Sequence, residues 1–165
     1  MTTRQSLRAD YVAIAVGAGS LALILGALGF QYLGGLQPCE MCHWQRWPHI
    51  AAAIIGVLGG GLLPRRYGVP VVTATILLVA TSGLIGLYQT GMQYHLLPGP
   101  TACTVDHAYI LGSNMPVEAR CDMPVYILGL LFPAWNALFS FLIAGVAIVV
   151  LTRNPPPSSS EAAGH

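Results

Sequence analysis

Residues 44–63 read WQRWPHIAAAIIGVLGGGLL, and their reading decides the fold. The uncharged part, Ile50–Leu63, is 14 residues long. A helix needs about 20 apolar residues to cross the hydrocarbon core, so this run alone describes a buried or re-entrant helix. Extended back to Trp44 it reaches that length, but takes in Arg46, Pro48 and His49 near one end. The Trp44 and Trp47 rings suit the headgroup interface, where amphipathic aromatic side chains collect. The stretch is therefore read as a membrane span.

On either side lie longer apolar runs. Tyr11–Phe30 and Val69–Tyr88 carry no charge, and Pro70 is tolerated at a helix start. Val125–Leu151 is longer still, with Pro133 expected to kink it and its length permitting tilt. The expectation is an all-α membrane protein: an antiparallel bundle of four transmembrane helices with two outer loops. The spans are approximately 11–32, 44–63, 69–90 and 125–151, within one domain covering 1–152. The first apolar run exceeds the core of a secretory signal, so no cleavage is expected. The Pro- and Ser-rich tail, 153–165, is expected to be disordered. Glycines in the spans, such as Gly17, Gly56 and Gly86, allow close helix packing.

Arginine placement orients the spans. Arg4, Arg8, Arg65, Arg66 and Arg153 fall on one side of a four-span chain, and only Arg46 and Arg120 on the other. Positive residues stay cytoplasmic, so both termini are expected there. Cys39, Cys42, Cys103 and Cys121 then all lie in outward loops. In a bacterium that side is the oxidising periplasm, and the membrane is the inner one. Composition agrees: charged residues are 8%, hydrophobic residues 55% and mean hydropathy is +0.65. Soluble domains carry roughly 25% charged residues. The net charge is +1 and no basic cluster exists, which excludes the electrostatic footprint of a nucleic-acid binder.

Chemistry concentrates at Cys39-Glu40-Met41-Cys42, preceded by Pro38 and followed by the second span. Two sulfurs meet across Cys-x-x-Cys when the second sits in the first helical turn. Unpaired amides at a helix start favour a thiolate. Arg46 follows Cys42 by four residues, one turn along the same face, and its guanidinium cannot deprotonate. Snorkelling to headgroups is its plainer reading. Cys103 and Cys121 share a long outer loop, where a structural staple is the plainer reading. Two pairs on one face permit serial exchange, in which a thiolate attacks a disulfide and its neighbour resolves the mixed species. Between them Val105–Met115 could form a short surface helix or an irregular loop. His49 and His95 read as interfacial histidines with satisfied partners. Asn136 and Ser140 read as hydrogen-bond links between helices.

Three other classes remain open. Cys39-x-x-Cys42-His43 matches the attachment signature of c-type haem, but the short first loop leaves little chain to wrap it. All four cysteines could form a structural zinc site, although an oxidising compartment opposes it. A structural tetraspan protein without thiol chemistry is the third. No metal site is expected.

Gln31-Tyr32, Gly35-Leu36-Gln37-Pro38-Cys39-Glu40-Met41-Cys42 and Gln45-Arg46 together resemble the first-loop signature of the DsbB family of membrane thiol oxidoreductases. Pro98-Gly99-Pro100-Thr101-Ala102-Cys103 is similar to that family's approach to its second pair. Cys121-Asp122, Leu128-Gly129-Leu130 and Pro133-Ala134-Trp135-Asn136 are similar to its final segment. The resemblance implies a four-helix antiparallel bundle that reoxidises a periplasmic thioredoxin-like dithiol oxidase, DsbA, using ubiquinone or menaquinone. It implies that Cys103 receives the partner's attack and that Cys121, once released, attacks Cys39. Cys42 then becomes the thiolate facing the quinone, with Arg46 binding the ring. Three departures stand out. His43 follows Cys42, Tyr88-Gln89-Thr90-Gly91 stands where family members often carry a histidine, and Cys103 and Cys121 are closely spaced. Enzymes resembling vitamin K epoxide reductase share the chemistry but place Cys-x-x-Cys late in the bundle.

Overall fold

The computed structural model describes residues 3–100, 103 and 120–153, with backbone only for residues 3–7. Helix α1 spans Thr3–Tyr32. Helix α2 spans Glu40–Ile54 and continues through a π-helical turn, Ile55–Gly59, into Gly60–Leu62. A 3-10 turn at Arg65–Tyr67 leads into α3, Gly68–Gln93. Strands β1, Tyr126–Ile127, and β2, Leu130–Leu131, form a small hairpin before α4, Phe132–Thr152. Residues 105–115 and the tail from Pro155 lie outside the described residues.

Close contacts fix the helix directions. Gly60 lies against Asp10 and Gly56 against Ala13 and Gly17, so α1 and α2 run antiparallel. Gly59 meets Val71 while Ser82 donates to the Gln45 carbonyl, so α2 and α3 do too. Gly83 meets Ser140 and Gly86 meets Pro133, which reverses α4 against α3. A Cβ on Gly56 would lie 2.5 Å from the Ala13 carbonyl oxygen, and one on Gly86 2.9 Å from that of Pro133. Only glycine permits these approaches, as in other bundles packed through small residues.

The bundle is inside-out relative to a soluble protein. Its core is small: Ala9, Ala13, Val16, Ala52, Val72, Val79 and Ala147. Its exterior is large and apolar, with Leu21, Leu25, Leu77, Leu84, Leu142 and Val146 exposed. Such surface needs lipid to cover it. Among the described residues, three helical stretches are long and apolar enough to cross a membrane: Arg8–Tyr32, Arg65–Gln93 and Phe132–Thr152. The chain is an all-α membrane bundle. At about 1.5 Å per residue, the continuous helical run 40–62 reaches roughly 34 Å.

The fourth helix corrects the expected 125–151. It starts at Phe132, because Tyr126–Leu131 is an antiparallel hairpin closing on Leu128 (φ 52) and Gly129 (φ 82). Positive φ at both central positions is the geometry of a two-residue hairpin turn. Phe132 N–H donates to the Val125 carbonyl and Trp135 Nε1–H to the Ile127 carbonyl, both at 2.9 Å, tying the hairpin to α4. Pro133 does not kink the helix as expected. It sits in the first turn, where a missing N–H leaves no bond unmade.

Candidate active site

Helix α2 starts on a cysteine. Cys39 is its N-cap in extended conformation (φ −89, ψ 168), and Cys39 Sγ accepts the Cys42 amide at 3.2 Å. That position is usually filled by a side-chain oxygen that satisfies an orphan helix donor. Here a sulfur does so, and the Cys-x-x-Cys spacing sets Cys42 in the first turn beside it. Cys42, Gln45, Arg46 and His49 follow at helical spacing, so one face of α2 carries all four.

Gln89 of α3 faces that pair. Its Nε2 donates to Cys39 Sγ at 3.2 Å and lies 4.0 Å from Cys42 Sγ. Its Oε1 accepts from Gln45 Nε2, which holds the amide with its donors toward sulfur. Arg46 Nη1 donates to Gln31 Oε1 at 2.7 Å, tying α2 to the end of α1.

Both cysteines precede the span read from Trp44, and their thiols are pushed in opposite directions. Cys42 is lowered to about 7, first by the hydrogen bond from the Cys39 thiol. Backbone and Gln89 donors and the Arg46 charge also lower it, while burial opposes them. Cys39 is raised, because it keeps the shared proton and is buried. The proton the pair shares thus stays on Cys39, and the thiolate that forms around neutral pH is on Cys42. The sequence reading credited Arg46 and the helix start, but the Cys39 thiol is the larger cause.

Cys103 and Cys121 form a disulfide, whereas Cys39 and Cys42 are free thiols. Cys121 N–H donates to the Cys103 carbonyl at 3.2 Å. Gln93 Nε2 donates to the carbonyls of Cys121 and Met123, both at 3.1 Å, docking the second loop on α3. Beside Cys121, Arg120 clamps Asp122 through both carboxylate oxygens at 3.0 and 2.7 Å and holds its carboxyl below the usual range. Cys39, Cys103 and Cys121 share one buried cluster with Met41 and Met92, and Cys42 packs against it. The four cysteines placed outward by sequence therefore meet at one end of the bundle.

Cys42 and Arg46 also line a cavity of about 260 Å³ whose other walls come from α1, α4 and Gln89 of α3. Phe30, Phe132, Trp135 and Phe139 make it largely apolar, and Gln89 and His49 add polar groups. An apolar chamber with a few convergent polar groups is the usual form of a small-molecule site.

The sequence reading quotes Gln31 and Gln45 within a family signature and Gln89 as a departure from it, but assigns none of them a role. The α2 spacing was a usable signal for Gln45 and His49. Gln89 occupies the stretch where a histidine was noted as missing. His49 is buried, not interfacial, and bonds Asn136 and Ser140, so the expected α4 links do form. A four-thiolate zinc site is unavailable while Cys103 and Cys121 are joined. Haem attachment meets an obstacle at Cys39, whose sulfur is buried against the second pair.

Comparison with known proteins agrees with this architecture. The family described as "Disulfide bond formation protein DsbB" matches residues 9–150. A disulfide bond formation protein B of Aromatoleum aromaticum is 33% identical over 150 residues, covering 82% of this chain and 90% of its own length. One from Burkholderia pseudomallei is 32% identical over 141 residues, covering 79% and 81%. One from Burkholderia thailandensis is 29% identical over 150 residues, covering 84% and 87%. No solved structure matches the chain. With both cysteine pairs inside the matched segment, the chain belongs to the DsbB family of disulfide bond formation proteins.

Proposed function

We propose that this disulfide-forming oxidoreductase reoxidises a periplasmic dithiol oxidase of the DsbA type and delivers the electrons to ubiquinone or menaquinone. The observation that carries the reading is the meeting of both cysteine pairs in one cluster, with Cys42 opening on an apolar cavity. The protein sits in the bacterial inner membrane, with the run that begins at Trp44 in α2 as its second span and both termini cytoplasmic. Arg8, Arg65, Arg66 and Arg153 then share the cytoplasmic side.

The residues present fit a quinone. The aromatic walls match a ring, Arg46 and Gln89 stand beside Cys42, and the wall residue His49 keeps a buried Nδ1 without a partner. When bound, a quinone supplies a lipid-soluble acceptor for two electrons and two protons.

The chain's own steps follow from thiol exchange. The partner's thiolate attacks Cys103, the Cys103–Cys121 bond breaks, and Cys121 leaves as a thiolate. Cys121 attacks Cys39 of an oxidised first pair, and Cys42 is released as the thiolate. The partner's second thiol frees Cys103 and departs oxidised. Cys103 attacks Cys121, which restores the second disulfide and leaves Cys39 and Cys42 as a dithiol, the arrangement seen here. That dithiol holds the partner's two electrons. Arg46 and Gln89 hold Cys42 ionised and aimed at the cavity.

The test mixes purified protein, a reduced thioredoxin-fold dithiol oxidase and short-tailed ubiquinone, and follows quinone absorbance. One quinone should be consumed per partner dithiol oxidised. In a single turnover from the reduced first pair, the rate should rise about tenfold per pH unit at acid pH, as thiolate forms. It should level off above about 7, where Cys42 is ionised. Absence of quinone loss in the complete mixture would refute the reading.

A further inference from the structure

His49 stands in the middle of a buried polar chain that joins α2 to α4. Asn136 Nδ2 donates to the Ser82 carbonyl and to Ser82 Oγ, both at 3.2 Å. A carbonyl can only accept, so the Asn136 amide nitrogen must face Ser82 and Oδ1 must face His49. His49 Nε2 lies 3.1 Å from that Oδ1 and 3.3 Å from Ser140 Oγ. Since Oδ1 can only accept, Nε2 carries the hydrogen. In a neutral imidazole the other nitrogen is then an acceptor. That nitrogen, Nδ1, is buried and without a hydrogen-bond partner, on a residue that is 3% exposed and lines the cavity. An unsatisfied buried acceptor is costly, and its site gains when a ligand brings a donor.

The oxidised and reduced forms of a quinone differ in this respect. Quinone oxygens only accept hydrogen bonds, whereas the hydroquinone carries two O–H donors. We propose that His49 Nδ1 accepts the hydroxyl hydrogen of the reduced ring, making His49 a binding residue that favours the two-electron-reduced state. This rests on the quinone reading above. Asn136, Ser82 and Ser140 act through His49 by fixing its tautomer. A tenfold preference for the reduced ring corresponds to about 30 mV for a two-electron couple, in the direction that draws electrons from Cys39 and Cys42.

The test is equilibrium binding, not turnover. Durohydroquinone and its dimethyl ether share a ring, but only the first has hydroxyl hydrogens. Binding is followed anaerobically by tryptophan fluorescence, Trp135 being a cavity residue, on protein with its first pair reduced. The parent should prefer durohydroquinone by about tenfold, as expected for one buried hydrogen bond. His49→Phe should bring that preference to within about twofold. His49→Gln, which retains a side-chain acceptor, should restore most of it. Asn136→Ala, which frees the tautomer, should lower it at least about threefold, and provides a second variant should His49→Phe fail to fold. A preference that persists in His49→Phe or Asn136→Ala overturns the role of His49 while leaving ring binding intact. A parent that binds neither compound overturns the quinone assignment and the role of His49 together.

Discussion

Cys39→Ser should abolish quinone reduction by a reduced periplasmic dithiol, lowering turnover at least about a thousandfold, as loss of an essential nucleophile does. In the proposed relay Cys39 is where exchange passes between the loops, and its sulfur accepts the Cys42 amide at the helix cap. A serine cannot form the disulfide that ends each cycle. It also withdraws the thiol proton that does most to keep Cys42 ionised. The fold should survive, because serine is among the best N-cap residues and can accept the Cys42 amide. The thermal midpoint should therefore stay close to the parent's while turnover vanishes. Turnover within about tenfold of the parent would eliminate the relay.

Arg46→Ala should raise the KM for quinone about 10- to 100-fold and leave the KM for the dithiol partner nearly unchanged. The range follows from losing a charge-assisted hydrogen bond in a poorly solvated site. Arg46 lies on the cavity wall, one turn beyond Cys42, and Gln31 holds it there. Its loss should also move the single-turnover pH profile upward, because its charge favours the Cys42 thiolate. Arg46→Lys keeps the charge but not the planar fork, so it should fall between the two. Equal quinone dependence in Arg46→Ala and the parent would contradict the assigned contact.

The parts legible in sequence were those with a local cause. Cys-x-x-Cys at the mouth of an apolar run announces a capped helix bearing a reactive thiol, and Cys39 and Cys42 form that arrangement. Charge-free runs announced the helices, and glycines their tight crossings at Gly56 and Gly86. The hairpin at 126–131 was hidden because a short apolar strand and the first turns of an apolar helix have the same hydropathy. Leu128-Gly129 was the available turn signal, but a leucine at positive φ is uncommon. Gln89 and the pairing of His49 with Asn136 were not legible either. Each depends on which helix faces stand opposite once the bundle closes, and residues 49 and 136 are far apart along the chain.

The central claim is that sulfurs from two separate loops stand close enough to exchange bonds. It is tested most directly by the double variant Cys42→Ser, Cys103→Ser, which leaves one cysteine from each pair. Mass spectrometry of peptides from the air-oxidised, purified protein should show Cys39 and Cys121 joined in a single disulfide in most molecules. If both instead stay free and react fully with maleimide in the folded protein, the two loops do not meet and the relay is wrong.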